Sequence, residues 1–388
     1  MRIAVLGDAS GWLSPTLAAL RGLGVQVDLD RFSWPDDLIV VHVGDLVHKG
    51  PDGDDLVAWV DAVMGRVGDR WIQLLGNHEA SYLGGAVFGA DYGCWDLRPE
   101  TIACLRRWLV DGRVRLAAAL QDATGEERLV THAGLTGGTW DDLGTPAGAP
   151  LIARHLNSML ALDPRRAFRS GEMLHHPAEP GVVWASEGEL CRSWDGRAMP
   201  CSQIRGHTNP YDFSRQGWRS ALPPEVRRAA SAATTAADEE ARHLRLPLGG
   251  RTVLCVDPGF SSRRPRHRLA PLVIDGEILP DAPPSGWPEQ PLAWDSPVRN
   301  HEACNSSWDW PVPLEGLSYE DETVSFAPVS WERLEVLLSG NRPQAQAVQA
   351  GPQVQDVPLV ESRPERNASR RGKPERRHGR RRWWSKSC

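Results

Sequence analysis

No two cysteines in this chain are spaced C-x-x-C, so it does not read as a zinc ribbon. The seven that occur (Cys94, Cys104, Cys191, Cys201, Cys255, Cys304 and Cys388) are odd in number and far apart. That is unlike the dense framework of a disulfide-stapled domain. Nor is there any run of 18 apolar residues, so no transmembrane helix and no membrane partner are expected. The opening "MRIAVLGDAS" meets a charge at once and lacks the length of a signal peptide's apolar region. Together these absences fit a reducing, cytoplasmic setting.

What is present is enough chain for one large domain or two modest ones: 388 residues, 41% of them hydrophobic. The net charge of −6 is unevenly spread. Residues 341–388 carry a net +8 and the rest of the chain a net −14, a segregation that gives the tail its own role or none. That tail is poor in apolar residues and predicted to be disordered; an acidic surface or a nucleic acid is the kind of partner its charge suits. Residues 281–340 hold Trp287, Trp294, Trp308, Trp310 and Trp331 among many prolines. They read as an irregular appended segment with a short helix at 330–338. The expected organisation is therefore a domain over 1–280, a Pro/Trp-rich segment over 281–340 and a basic tail over 341–388.

Residues 2–8 ("RIAVLGD"), 38–45 ("LIVVHVGD") and 70–79 ("RWIQLLGNHE") each read as an apolar strand ending in polar residues. Residues 128–135 ("RLVTHAGL"), 201–210 ("CSQIRGHTNP") and 251–259 ("RTVLCVDPG") repeat the form. Helices are predicted between the early strands. One has Ser14 as N-cap and Pro15 at its first position. Another, over 54–68, has Leu56, Trp59, Val60 and Val63 on one face. Residues 223–245 predict an exposed helix inserted between two strands, and 270–279 a pair of strands. His42, inside a strand, reads as a core histidine. Strands alternating with helices make the class α/β, in which ligands bind at the carboxyl ends of strands.

The polar strand ends are Asp8 in "GDASG", Asp45 in "GDLVHKGPDG", Asn77 and His78 in "GNHE", His132 in "THAGL" and His207 in "RGHTNP". Alone, Asp45 also suits a surface turn, where Asp, Lys, Gly and Pro are ordinary. Taken together, carboxylate, amide oxygen and imidazole suit a divalent cation such as manganese, iron or zinc. Glycine precedes four of these residues, which lets the backbone turn sharply and approach closely there.

On these motifs, followed by "VDPG", the chain resembles the calcineurin-like metallophosphoesterases over residues 2–279. Within them it is similar to the phosphoprotein phosphatase and diadenosine tetraphosphatase-like type. The resemblance implies a four-layer fold, a central β-sandwich flanked by helices, holding one or two divalent ions, manganese first and iron or zinc otherwise. It implies that Asp45 bridges two metals, that Asn77, His132 and His207 complete one, and that Asp8 serves the other. It places His78 against the scissile oxygen. The implied reaction is hydrolysis of a phosphomonoester or phosphoanhydride, with Asp45 and His78 as catalytic residues. The implied substrate is a phosphorylated small molecule, a nucleotide or a phosphoprotein.

The chain also departs from that pattern. Ser10 stands where the family's first motif has a metal-binding His, so the first metal keeps Asp8 and Asp45 alone unless water or another side chain fills in. His48 replaces an Asp that orients the catalytic His, and Lys49 replaces a phosphate-binding Arg. Lysine holds phosphate as a point charge, without a bidentate fork. His48 is a candidate to support the site, carry a proton or fill the ligand position. In "VVWASEGEL" (182–190) Ser186 stands at a further arginine, for which Arg205 is the candidate substitute. Lys49, His48 and Arg205 are thus the expected substrate-binding residues. These changes imply a divergent subgroup, and the alternative reading is a non-catalytic or weakly active metal- or phosphate-binding descendant.

Overall fold

A strand that is apolar on both faces must be covered from both sides, and Ile3, Ala4, Val5 and Leu6 of the first strand are all fully buried. The computed structural model describes residues 1–27, 31–83, 97–176, 178–219, 222–261, 263, 265 and 267–280. The expectations for residues 281–340 and 341–388 lie outside the described residues.

The strands are, in order, β1 (Arg2–Leu6), β2 (Leu38–His42), β3 (Trp71–Leu74), β4 (Val114–Arg115), β5 (Ala117–Asp122), β6 (Glu127–Thr131) and β7 (Ser202–Arg205). After them come β8 (Tyr211–Asp212), β9 (Gly217–Trp218), β10 (Ala236–Asp238), β11 (His243–Leu248), β12 (Arg251–Cys255) and β13 (Leu272–Leu279). All but the β8–β9 pair join one eleven-stranded sheet in the order β10-β11-β12-β7-β6-β5-β13-β1-β2-β3-β4. Two parallel triplets sit inside it. β1, β2 and β3 run together, and so do β6, β7 and β12.

The two halves share a core, as a sandwich requires. Ile3, Val5, Val41, Val43, Ile72 and Leu74 from one half cluster with Ala118, Leu120, Val130, Ile204 and Val256 from the other. Alternate residues, such as Ala4, Leu6, Val40, Ala119 and Leu129, join the helical residues Leu20, Leu56, Trp59, Val60, Ile152 and Leu156 in a second cluster. The fold is therefore α/β, a large central sheet flanked by helices. Among the described residues no helix is long and apolar enough to cross a membrane, and Cys104, Cys191, Cys201 and Cys255 are free and buried.

Three local expectations are corrected. The first helix spans Leu13–Gly22 with Trp12, not Ser14, at its N-cap. Trp12 is anchored by its indole N–H to the Ser261 carbonyl (3.0 Å), and Pro15 remains in the first turn, where no amide donor is needed. Residues 223–245 are not one helix. The helix is Pro224–Ala230 only, and β10 and β11 follow. Leu244 and Leu246 pack with Cys191, Val226 and Cys255 while β11 pairs with β12, and that burial overrides the helix propensity of the alanines before it.

Residues 270–279 are one strand, not a pair. Residues 272–275 of β13 pair with β1 and residues 276–279 with β5, so β13 passes from one half of the sheet to the other. Gly276 sits at the crossing not to turn the chain but to let it pass. A Cβ there would lie 2.1 Å from the Gln121 carbonyl oxygen. Gly276→Ala is expected to destabilise the protein by about 1–3 kcal/mol, the usual cost of overpacking. Urea unfolding should show a lower midpoint at unchanged slope; an unchanged midpoint would refute the tight crossing.

Candidate metal centre

Each parallel triplet delivers three polar residues just past its carboxyl ends. β1, β2 and β3 are followed by Asp8, Asp45 and Asn77, and β6, β7 and β12 by His132, His207 and Asp257. Bonds between the two sets fasten the halves together. The backbone N–H of His207 donates to Asp8 Oδ2 (3.0 Å), and His132 Nδ1 lies 2.9 Å from the Val43 carbonyl. A Cβ at Gly206 would come within 2.1 Å of Asp8 Oδ1, so the glycine before His207 is required by close approach.

Asp45, Asn77, His132 and His207 are brought into one cluster. His132 Nε2 lies 3.0 Å from Asn77 Oδ1, 3.2 Å from His207 Nδ1 and 3.4 Å from Asp45 Oδ1. Asp45, His132 and His207 each offer a ligand atom within 4.8 Å of the others. Burial pushes the proton affinity of His132 down and that of His207 far down, so both are neutral imidazoles. The Val43 carbonyl can only accept, so the single N–H of His132 is on Nδ1. Its Nε2 therefore turns a lone pair toward an amide oxygen, a second imidazole and a carboxylate. The Asn77 and Asp45 oxygens have no proton to give, and acceptors this close repel one another unless something positive lies among them; a divalent cation fits the donor set of amide oxygen, carboxylate and imidazoles. The Asn77 Nδ2 is buried without a partner.

Asp45 is buried. Burial pushes its carboxyl up, yet its interactions with the imidazoles of His78, His132 and His207 and with the Lys49 ammonium outweigh that and hold it below the usual carboxylate range. Asp8, also buried, is pushed well above its ordinary range by burial, then by Asp257 and Asp45.

The loop carrying Asp45 is held by a residue that sequence reasoning passed over. Glu79 accepts from the backbone N–H groups of Asp45 (2.8 Å), Leu46 (2.7 Å), Val47 (3.2 Å) and Gly76 (3.0 Å). Its only signal in the sequence is its place as the last letter of "GNHE". Burial and the neighbouring Asp45 push its carboxyl up to about 8, against four N–H donors that favour the ionised form. The loop needs such support. Ser10, Asp45, His48, Lys49 and His207 all have positive φ, five of the nine such non-glycine residues described, so the backbone strain gathers at this centre.

His78 is fixed by its neighbours. Its Nδ1 lies 3.0 Å from the Val47 carbonyl, and Nε2 faces Asp45 Oδ2 at 3.5 Å. The Val47 carbonyl thus holds the imidazole. His48 instead lays its ring 4.8 Å from that of His78 and meets the Tyr82 hydroxyl through Nε2 (2.7 Å). Lys49 is half-buried, and its charge favours the ionised forms of Asp8 and Asp45.

Arg205 is placed differently from a substrate clamp. It is fully buried, paired with Glu187, and donates to the carbonyls of Gly206 (2.9 Å) and Thr208 (2.8 Å). Ser186 caps a helix: its hydroxyl accepts from the Glu189 N–H. His42 is a buried strand residue that shares Nδ1 between Gln73 Nε2 (3.1 Å) and the Gly44 N–H (3.2 Å). A cavity of about 440 Å³ lined by Trp194, Arg197, Glu225, Arg228 and Pro247, among others, includes none of the clustered residues.

Over residues 1–211 the chain matches the calcineurin-like phosphoesterase family, and it belongs to that family. Among solved structures it is similar to a metallophosphoesterase from Sphaerobacter thermophilus, at 14% identity over 69% of this chain and 79% of that one, with a TM-score of 0.30. A protein serine/threonine phosphatase from Saccharomyces cerevisiae is matched at 12% identity over 74% and 84%, TM-score 0.33. A putative diadenosine tetraphosphatase is matched at 18% identity over 65% and 92%, TM-score 0.29. No curated protein matches the chain in sequence.

Glu79→Gln replaces one of the two accepting oxygens by a donor that faces N–H groups. It is expected to destabilise the metal-free protein by about 1–3 kcal/mol, the cost of leaving a buried N–H donor unsatisfied. Urea denaturation measures this, and a wild-type midpoint would show that the loop is held by other means.

Proposed function

We propose that this protein is a divalent-metal-dependent phosphoesterase that hydrolyses a phosphomonoester or a phosphoanhydride. The observation that carries the reading is the pair of oxygen acceptors, from Asn77 and Asp45, that face the lone pair of His132 Nε2, in a chain of the calcineurin-like phosphoesterase family. Asn77, His132 and His207 would hold one ion, Asp8 the other, and Asp45 both. Bound ions of this kind polarise the phosphoryl oxygens and lower the pKa of water for in-line attack.

The chain's own residues do the rest. His78, its ring held by the Val47 carbonyl, presents Nε2 to the centre. The imidazole is neutral when the site is free of substrate, because burial pushes it down to about 4. A phosphate brought beside it raises its proton affinity, and the protonated ring can then donate to the leaving-group oxygen. Lys49 supplies a point charge for the phosphate. Arg205, engaged by Glu187, is left out of this assignment. The substrate class is a phosphorylated small molecule, a nucleotide or a phosphoprotein, the ion is manganese, iron or zinc, and buried free thiols suit a reducing cytoplasm.

The test is to assay the purified chain with manganese against p-nitrophenyl phosphate, phosphopeptides and dinucleoside polyphosphates. Hydrolysis of at least one, abolished by chelator and restored by manganese, is the expected result. His132→Ala should lower the rate about tenfold or more, since even outer-shell losses cost that much. Metal binding with no turnover of any of them would instead favour the non-catalytic alternative.

A further inference from the structure

Of the four clustered residues only His207 is partly exposed. Its ring has an inner and an outer nitrogen. Nδ1 lies 3.2 Å from His132 Nε2, and Nε2 lies 3.1 Å from the sulfur of Met173. A thioether has no proton to give, so the outer contact is one that Nε2 donates, and it leaves Nδ1 bare toward the centre. Metal-bound imidazoles ordinarily give their outer N–H to a carboxylate, a carbonyl or water. Here a weak and oxidisable acceptor takes that place.

Both partners of that contact are held in place. The His207 ring stands edge-on to Trp184, with centroids 6.3 Å apart, and its backbone N–H is bound by Asp8. Met173 lies in the short turn Gly171–Leu174, which is tied to the helix Glu187–Ser193. The Glu172 N–H donates to Glu189 Oε1 (2.8 Å), and Arg192 donates to both Glu172 carboxylate oxygens (2.8 and 2.9 Å). The residue just before Met173 is therefore pinned at backbone and side chain. Met173 is also open to reagents. Of the five methionines in the chain, Met64, Met159 and Met199 are buried, whereas Met173 is 37% exposed and Met1 53%.

We propose that Met173 is a positioning residue for His207 and a site of reversible oxidation by peroxide, through which the oxidant weakens the centre's hold on its metal. The inference rests on the reading of the centre as a metal-dependent phosphoesterase. In the step itself the thioether sulfur attacks one oxygen of hydrogen peroxide. The S–O bond forms, the O–O bond breaks, and the second oxygen leaves as water. The sulfur is oxidised by two electrons and the peroxide is reduced. The product is a polar sulfoxide in place of an apolar thioether. At 3.1 Å no atom fits between sulfur and Nε2, so the added oxygen parts the pair. The imidazole then loses the partner that fixes its orientation and its tautomer.

The experiment treats the full chain with hydrogen peroxide, removes the oxidant, maps methionine sulfoxide by peptide mass spectrometry and measures manganese affinity by calorimetry. Met173 should oxidise faster than Met64, Met159 and Met199, and the oxidised chain should bind manganese at one site about tenfold more weakly or worse. Methionine sulfoxide reductase should restore the affinity. Met173→Leu keeps the bulk but offers no acceptor, so it should show the weakening without peroxide and no further loss with it. Met173→Gln offers Nε2 an amide oxygen that peroxide does not alter, so it should bind within about threefold of wild type before and after treatment, because the ring N–H keeps an acceptor. Unchanged affinity in the oxidised chain or in Met173→Leu, a glutamine variant as weak as the leucine one, or a Met173 that oxidises no faster than the buried three each overturns the proposal. A wild-type chain that binds no manganese at all overturns the phosphoesterase reading as well, so the two failures are told apart.

Discussion

One buried carboxylate sets the geometry on which the rest of the centre depends. Glu79 gathers four backbone N–H groups, three of them from the loop after β2. That loop holds Asp45, His48 and Lys49 in left-handed backbone, a conformation costing on the order of 1–3 kcal/mol per residue. A buried N–H left unsatisfied costs about 1–3 kcal/mol, so Glu79, which satisfies four, can offset strain of that size. The constraint then spreads. Val47, fixed by its N–H, aims its carbonyl at His78. Asp45, fixed by its own, meets the His78 N–H with Oδ1 (3.1 Å) and receives Ser10 N–H on its carbonyl.

The parts of this centre that were legible in the sequence are those where a strand ends. Asp8, Asp45, Asn77, His132 and His207 each follow an apolar run, and two parallel triplets with their carboxyl ends together are what collect them. The glycines before them were legible for the same reason, since Gly206 leaves the room that Asp8 Oδ1 takes. What escaped was whatever depends on long-range partners. Glu79 looks like any acidic residue in the first turn of a helix until its acceptors are seen facing a loop more than thirty residues earlier in the chain. Arg205 beside His207 suggested a phosphate clamp, but Glu187 takes its guanidinium. No local pattern announces that pairing.

The same limit explains the misread segments. Alanines and charges over 223–245 favour a helix locally, yet Leu244 and Leu246 find a better environment against Cys191, Val226 and Cys255. "IDGEI" reads as a hairpin turn because Asp-Gly so often is one. The glycine's use here is steric, and only the close passage of Gln121 reveals it. At Ser186 the residue type was noted for what it lacks as a phosphate ligand, while its place in the structure is that of a helix cap.

The strand that crosses between the halves also sets an order of events. Arg2 pairs with Asp275, and Ala119 pairs with Leu279. Of the described strands, the first must therefore wait for the last before the two halves can close on each other. Such distant pairings slow folding, because the loop entropy is lost before the contact forms. Until residues 272–279 emerge, β1 has only β2 beside it, and its other edge is open to any strand that comes near. For a nascent chain the danger lies on that edge, and it passes only when β13 arrives.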